Sequence, residues 1–295
     1  MLTKKKFFIL IILLALALFI PSTLLKNGIN NTEGSNESSE PIDTNIQETE
    51  FSSEYISESE TEEEHQLVLH SSISNLSPGE VIPEEQLDFS HLDNFFVSTT
   101  IIEGGYIFNR INGKSYQPND DIALSDLRYL KMLHYNYNGE IQVGEMIVNK
   151  QIEAACLDIF QRLFEAQYQI CRMVLIDDYW TGDGEETDAV SIKNNNTSCF
   201  NYRNVPGSTN RSKHALGLAL DINPYENPYI PNKNGIPDYS ALDENEYYYA
   251  TNRNEADAHV ITHNDLAYKL FIEHGFSWGG NWNSLKDYQH FAITN

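Results

Sequence analysis

The chain has 295 residues with a formal net charge of −24 at pH 7, and 41% of its residues are hydrophobic. This apolar content is enough for one large folded domain with appendages. The acid excess disfavours nucleic acid as a partner, because affinity for a phosphate backbone comes largely from Lys and Arg. The acids are concentrated, since residues 27–109 contain 18 of them and no Lys or Arg.

The first 26 residues have the pattern of an export signal. Lys4, Lys5 and Lys6 precede an unbroken apolar run over residues 7–20, which is a charged region followed by a hydrophobic one. Counted through residue 25, the stretch is nearly long enough to cross a bilayer. Both a cleaved signal peptide and an uncleaved signal-anchor fit this segment. In either case we expect the rest of the chain outside the cytoplasm, secreted or held at the membrane, with the lysines inside.

Residues 27–85 are predicted to form a disordered acidic linker. The part from 30 to 64 is rich in Ser, Thr, Asn and Glu, so it buries too little apolar surface to offset the entropy of ordering. Its like charges repel one another and extend the chain. A flexible tether is the simplest role, and an acidic tail that binds a partner is the alternative. Aromatic residues become frequent from about Leu87, and we therefore assign residues 86–295 to one folded domain.

This domain shows both helical and strand periodicity. Apolar residues at helical spacing predict a helix over 148–167, with Asn149 as its N-cap, and a second helix over 264–274 that ends before Gly275. Apolar runs and alternation predict strands over 173–176, 217–222 and 288–293. Helices and strands that do not alternate regularly indicate an α+β fold.

The chain contains three cysteines, Cys156, Cys171 and Cys199. An odd number outside the cytoplasm leaves at least one thiol unpaired. Their spacing matches no zinc-ligand pattern. We expect them to be buried apolar residues, and one disulfide is the alternative.

Residues 212–222 carry the first candidates for chemistry. His214 stands just before the predicted strand, and Asp221 lies on the strand face opposite to its apolar residues. The apolar side chains therefore go to the core while Asp221 reaches the other face, where Gly217 and Ala219 leave space beside it. An imidazole and a carboxylate on one open face suit zinc, which usually takes three protein ligands in a catalytic site.

The C-terminal segment supplies the remaining candidates. His290 can complete the metal ligands, and Asp287, three residues earlier, can take a proton from water and pass it to a leaving amine. A zinc ion lowers the pKa of bound water from about 15.7 to roughly 7. From spacing alone, a structural histidine and a turn-capping aspartate remain the alternatives.

Three motifs in order carry a family resemblance. S-x-H-x-x-G-x-A-x-D over residues 212–221 is followed by W-G-G-x-W over 278–282 and by D-x-x-H-F over 287–291. Together they resemble the zinc D-Ala-D-Ala carboxypeptidase family, which includes vancomycin-resistance-type D,D-carboxypeptidases, D,D-dipeptidases and L-Ala-D-Glu endopeptidases. The W-G-G-x-W box, and Asp rather than Glu before the last His, resemble the endopeptidase subfamily. With similar segments upstream, the resemblance covers roughly residues 95–295.

The resemblance implies a role for each matching residue. It implies Zn²⁺ bound by His214, Asp221 and His290, with Asp287 as the catalytic base. It implies that Arg203 stabilises the developing oxyanion, although Arg172 and Arg211 are also near in sequence, and an exposed arginine without this role is the alternative. Ser212 matches a serine on the substrate side. Trp278 and Trp282 either line the substrate groove or pack in the interior.

The resemblance also implies the fold and the reaction. The fold is the α+β fold shared with the hedgehog signalling domain, with a small, mostly antiparallel sheet that carries the metal on one face and helices on the other. The reaction is zinc-dependent hydrolysis of an amide in the stem peptides of peptidoglycan, at the cell wall. The terminal D-Ala-D-Ala bond, the L-Ala-D-Glu bond and a free dipeptide all remain open. A rival from another class is a non-catalytic, zinc-containing cell-wall-binding module of the same fold, as in the hedgehog domain.

Overall fold

The computed structural model describes residues 68–293, which fall within one unit, Glu63–Asn295. The predicted export signal, residues 1–26, and residues 27–67 of the predicted linker lie outside the described residues. In the part of the chain that is described, no helix combines the length and the apolar character needed to cross a bilayer.

Helices and strands are interspersed along the described chain. The α helices are α1 (Tyr106–Ile111), α2 (Glu153–Glu165), α3 (Gly184–Lys193), α4 (Glu244–Thr251) and α5 (Leu266–Glu273). The strands are β1 (Phe96–Thr100), β2 (Leu127–Tyr135), β3 (Ile141–Asn149), β4 (Ala219–Asp221), β5 (Tyr229–Ile230), β6 (Asn232–Lys233), β7 (Ile236–Pro237), β8 (Phe276–Trp278), β9 (Lys286–Asp287) and β10 (His290–Ile293). Short 3₁₀ helices cover Glu84–Gln86, Phe89–Phe95, Leu124–Asp126, Ile176–Tyr179, His214–Leu216 and Gly279–Asn281.

All strand pairs named here are antiparallel. One sheet has the order β1-β2-β3, a second has the order β4-β10-β8, and two ladders pair β5 with β9 and β6 with β7. Several small antiparallel sheets with separate helices agree with the predicted α+β class. The more specific assignment, to the fold of the zinc peptidases and the hedgehog domain, remains a proposal.

The long hairpin of β2 and β3 carries the larger sheet, and α2 packs on it. The buried face of α2 matches the predicted helical spacing and consists of Cys156, Ile159, Phe160, Leu163 and Phe164. The helix begins at Glu153 rather than at 148, because the preceding residues pair with β2 as far as Asn149. Strand pairing thus displaces the predicted start of the helix.

Asn149 is therefore not the N-cap of α2, and that prediction is wrong. Its side chain amide donates a hydrogen bond to the carbonyl of Leu216 at 2.9 Å, and its backbone N–H donates to the carbonyl of Gly217 at 2.8 Å. Asn149 instead joins the end of β3 to the turn that precedes β4.

The second sheet contains the predicted strands over 217–222 and 288–293 in shorter form, as β4 and β10. The alternating residues Leu218, Leu220 and Ile222 lie in the hydrophobic core. Helix α5 packs beside β8, begins after Asp265 as its N-cap and ends before Gly275, whose φ of +83° suits glycine. The predicted helix over 264–274 is confirmed.

The predicted strand over 173–176 is wrong. The carbonyl of Met173 accepts one hydrogen bond from Glu145, but the N–H of Val174 donates to the side chain of Asn196. A 3₁₀ helix then starts at Ile176. The segment is largely buried, as predicted, but Val174 bonds to the side chain of Asn196 and not to the backbone of a neighbouring strand.

The folded part starts before residue 86. Ile73, Leu76 and Ile82 are buried in the main core, although the composition of residues 27–85 predicted a linker throughout. Because these apolar residues have polar neighbours in the sequence, the average composition of the segment did not indicate that it folds. The three cysteines are free, with Cys156 and Cys199 buried and Cys171 partly exposed.

Candidate metal centre

The pairing of β4 with β10 brings two of the predicted ligands together. Asp221 and His290 are directly opposite each other in this antiparallel ladder, so their side chains share one face of the sheet. Asp221 Oδ1 and His290 Nδ1 are 3.1 Å apart, and both side chains are buried. Residues 69 positions apart in the sequence therefore form one site.

His214 joins them from the 3₁₀ helix before β4. Gly217 ends this helix in the left-handed conformation, with φ +63°, and a Cβ there would lie 2.7 Å from the backbone nitrogen of Asn149. Glycine is thus required by the turn and by the close contact with β3. It does not serve to leave space beside Asp221, as the sequence suggested.

The donor atoms of the three residues lie about as far apart as around one zinc ion, with the two histidines facing different oxygens of the Asp221 carboxylate. His214 Nε2 lies 3.2 Å from His290 Nδ1 and 3.3 Å from Asp221 Oδ2. Tetrahedral zinc with ligands at roughly 2.0–2.1 Å places its ligand atoms about 3.3 Å apart. The buried His-Asp-His group can therefore hold a metal ion in the donor set that zinc favours.

A backbone carbonyl orients His214. Its Nδ1 donates a hydrogen bond of 2.7 Å to the carbonyl oxygen of Cys199. In the neutral ring this bond leaves Nε2 free to bind a metal and directed at the other two ligands, an arrangement typical of metal-binding histidines. The sequence carried no signal for this contact, because a carbonyl group belongs to every residue.

The electrostatics of the group favour an ionised Asp221. Burial alone would raise the pKa of this carboxyl, but the neighbouring His214 and His290 outweigh it and lower the pKa. For His214, burial lowers the pKa, while the charge of Asp221 and its hydrogen bond outweigh burial and raise it. A buried anion between two imidazoles is suited to a bound cation.

Asp287, the predicted base, lies on β9 at the edge of this group. Its Oδ2 is 4.0 Å from His290 Nδ1, and its Oδ1 is buried without a hydrogen-bond partner among the described residues. Burial raises the pKa of Asp287 to about 7; His290 opposes this shift, and the charge of Asp221 adds to it. A carboxyl in this range is suited to accept and return a proton near neutral pH.

The two glycines of the W-G-G-x-W motif allow close packing, Gly279 against Asp287 and Gly280 against Trp278. A Cβ on Gly279 would lie 2.5 Å from the carbonyl oxygen of Asp287, and a Cβ on Gly280 would clash with the ring of Trp278. Trp278 is only 3% exposed, and its indole N–H donates to the carbonyl of Tyr288 at 2.7 Å. These contacts favour the packing alternative for Trp278.

Trp282 has a different environment. It is 36% exposed, and its ring centre lies 5.3 Å from that of His290. An indole at the rim of the metal group can contact a bound substrate. This position favours the groove alternative for Trp282.

Arg203 and Ser212 lie on the His214 side of the group. Their backbones are linked by a hydrogen bond of 3.2 Å, and the Ser212 hydroxyl accepts a hydrogen bond from the N–H of His214. Ser212 is buried and holds the turn, so its contact with substrate stays a prediction. The other two arginines make contacts elsewhere, since Arg211 pairs with Asp121 and Arg172 donates to Tyr179.

Sequence reasoning missed the carboxylate that positions Arg203. Asp188 on α3 accepts a hydrogen bond of 2.5 Å from Arg203 Nη2. The Nε atom of Arg203 is buried without a hydrogen-bond partner in the described part of the chain. No motif contains Asp188, so only the contact reveals its part in the site.

The comparisons with known proteins agree with the motifs at the C-terminal end. A family model described as D-alanyl-D-alanine carboxypeptidase matches residues 206–293. The resemblance is thus confirmed over this segment, which contains the three ligands and Asp287 but not Arg203. Comparison with curated proteins and with solved structures gives no match.

Proposed function

From the match of residues 206–293 to D-alanyl-D-alanine carboxypeptidases, we propose that the protein is a zinc peptidase that hydrolyses an amide bond in peptidoglycan stem peptides. The observation that carries the proposal is the convergence of His214, Asp221 and His290 beside the partly buried carboxyl of Asp287. The two imidazoles are 3.2 Å apart at their nearest nitrogens, and they lie 3.1 and 3.3 Å from the two carboxylate oxygens of Asp221. Two imidazoles and one carboxylate are a donor set of catalytic zinc sites.

A bound zinc ion supplies a Lewis acid that polarises the scissile carbonyl and increases the acidity of water. Asp287 accepts the proton of the attacking water and returns it to the leaving amine. Its partnerless Oδ1 and its pKa of about 7 support this role.

Arg203 stabilises the negative charge that develops on the carbonyl oxygen of the substrate. A preorganised donor is effective here because it needs no reorientation during the reaction. The hydrogen bond to Asp188 supports such preorganisation. Trp282, exposed beside His290, is proposed to contact the substrate at the rim.

The scissile bond is either the terminal D-Ala-D-Ala bond, as in a carboxypeptidase, or the L-Ala-D-Glu bond, as in an endopeptidase. We propose action outside the cytoplasm, with residues 1–26 as the export signal. The mass of the mature protein distinguishes a cleaved signal from an anchor.

Digestion of purified muropeptides, followed by mass spectrometry, tests the activity and identifies the bond. Chelation should abolish the cleavage, and added zinc should restore it. The His290→Ala variant should bind no zinc, while His263→Ala, which changes an exposed histidine, should behave as the wild type. Binding of muropeptides without cleavage by the zinc-loaded wild type would favour the non-catalytic module instead.

A further inference from the structure

Tyr229 lies beside the proposed base, although no motif includes it. It belongs to β5, in the segment of chain that connects Asp221 to His290. β5 pairs with β9 so that Tyr229 is directly opposite Asp287. Directly opposite residues of an antiparallel pair project from the same face, with Cβ atoms about 4.5–5.5 Å apart.

The ring of Tyr229 is free to contact a ligand. It is 41% exposed, and its hydroxyl makes no hydrogen bond within residues 68–293. Some tyrosine hydroxyls of the described chain donate to carboxylates, as those of Tyr129, Tyr137, Tyr202 and Tyr248 do, and the hydroxyl of Tyr229 does not. Tyr229 thus presents an apolar ring and an unused donor next to Asp287.

The position of Asp287 defines which half of a substrate Tyr229 faces. A base that returns its proton to the leaving amine has that amine beside it. The residue on the amine side of the scissile bond therefore passes next to Asp287 and next to Tyr229. Arg203, in contrast, lies on the His214 side of the metal group, with its backbone bonded to Ser212.

We propose that Tyr229 is a specificity residue that contacts the leaving half of the substrate, packing its ring on the peptide and donating its hydroxyl to a carbonyl or carboxylate oxygen there. This inference rests on the proposed peptidase activity. It identifies a residue of the subsite that binds the amine side of the substrate.

The test uses the full-length, zinc-loaded protein and stem peptides that share the acyl half. The peptides differ after the scissile bond, carrying either a free carboxylate or an amide on the leaving residue. Tyr229→Phe removes only the hydroxyl, and Tyr229→Ala removes the ring as well. Tyr247→Ala, at a tyrosine of α4 that is 49% exposed, is the matched control.

We expect Tyr229→Phe to lower kcat/KM about tenfold on the preferred peptide, as for one lost hydrogen bond, mainly through KM. Tyr229→Ala should lower it further and reduce the preference between the two leaving residues. The Asp287→Asn variant should bind the peptide without cleaving it. The double variant with Tyr229→Phe should bind the same peptide about tenfold more weakly than Asp287→Asn alone.

Wild-type kcat/KM and wild-type preference in both folded Tyr229 variants would overturn the inference while leaving the peptidase proposal intact. An effect of Tyr229→Ala without one of Tyr229→Phe would support the ring contact and overturn the hydrogen bond. A zinc-loaded wild type that cleaves no stem peptide would overturn the proposed function and this inference with it.

Discussion

Asp188 and Arg203 form a nearly buried ion pair, with side chains 12% and 9% exposed, beside the candidate metal centre. α3 supplies the carboxylate, and the extended segment before His214 supplies the guanidinium. Arg203 donates from Nη2 to Asp188 and from Nη1 to the carbonyl of Asn204. The pair fixes the orientation of the arginine that we propose as the oxyanion donor.

Asp188→Ala should lower both stability and rate. Loss of one partner from a buried pair typically costs about 3–5 kcal/mol, because the other charge stays buried and unpaired. Urea titration should show a loss of this order, and kcat should fall with it. Asp121→Ala, which breaks the exposed pair with Arg211, is the control and should cost much less, because water screens an exposed pair. Equal losses in the two variants would contradict the role of Asp188.

Asp287→Asn should lower kcat by about 10²- to 10⁴-fold while leaving bound zinc and thermal stability nearly unchanged. Asn keeps the shape of the side chain but cannot accept the proton. Asp238→Asn is the control, since Asp238 accepts a turn-capping hydrogen bond from Ser240 and Asn can do the same. Near wild-type kcat in Asp287→Asn would refute its role as base, and loss of zinc would show that it organises the metal centre.

Substitution of the two tryptophans of the W-G-G-x-W motif should have different effects, one on stability and the other on substrate binding. Trp278→Ala should cost about 3–5 kcal/mol of unfolding free energy, as for other buried aromatic residues. Trp282→Ala should change stability by less than about 0.5 kcal/mol, as at an exposed position, but should raise KM. Urea titration and steady-state kinetics on the same preparations measure both effects. A wild-type KM in Trp282→Ala would exclude its contact with substrate.

The buried His134 should make the folded state sensitive to acid. Burial lowers the pKa of His134 from 6.5 to about 4, so between these values the unfolded chain binds more protons than the folded one. Its contribution is fully present above pH 6.5 and is lost as the pH falls towards 4, with a total of roughly 3 kcal/mol.

The free energy of unfolding should therefore depend less on pH across this window in His134→Gln than in the wild type. Both proteins are measured with a chelator, so that metal release does not contribute. His263→Gln, at an exposed histidine, should keep the wild-type dependence. Identical slopes in His134→Gln and wild type would contradict this account.

A chain that begins at residue 68 should keep the wild-type rate, whereas one that begins at residue 87 should lose stability. The second truncation removes Ile73, Leu76 and Ile82 from the core. Each buried side chain of this size contributes about 1.5–3 kcal/mol, so their sum approaches the total stability of an ordinary domain, about 5–15 kcal/mol. Thermal unfolding measures the difference, and equal Tm values for the two truncations would place residues 68–86 outside the folding unit.

The sequence by itself determined the residues that converge at the centre. The ordered motifs around His214, Asp221 and His290 identify these three residues through their resemblance to a peptidase family. Strand periodicity places only Asp221 opposite the apolar residues that alternate with it, and those residues lie in the core. The faces of α2 and α5 followed from helical spacing for the same reason. Periodicity is a local property, so a single segment of chain reveals it.

Only the tertiary structure decided which other groups belong to the site. Asp188 bonds to Arg203, the carbonyl of Cys199 bonds to His214, and Tyr229 pairs with Asp287, and these contacts make them candidates for the site. Contacts between distant segments also account for three differences from the predictions. Helix α2 begins later than predicted, residues 173–176 do not form a strand, and Ile73 is buried although it lies before the expected domain boundary. Such contacts join segments that are distant along the chain, and their energy depends on which surfaces meet, which no local pattern encodes.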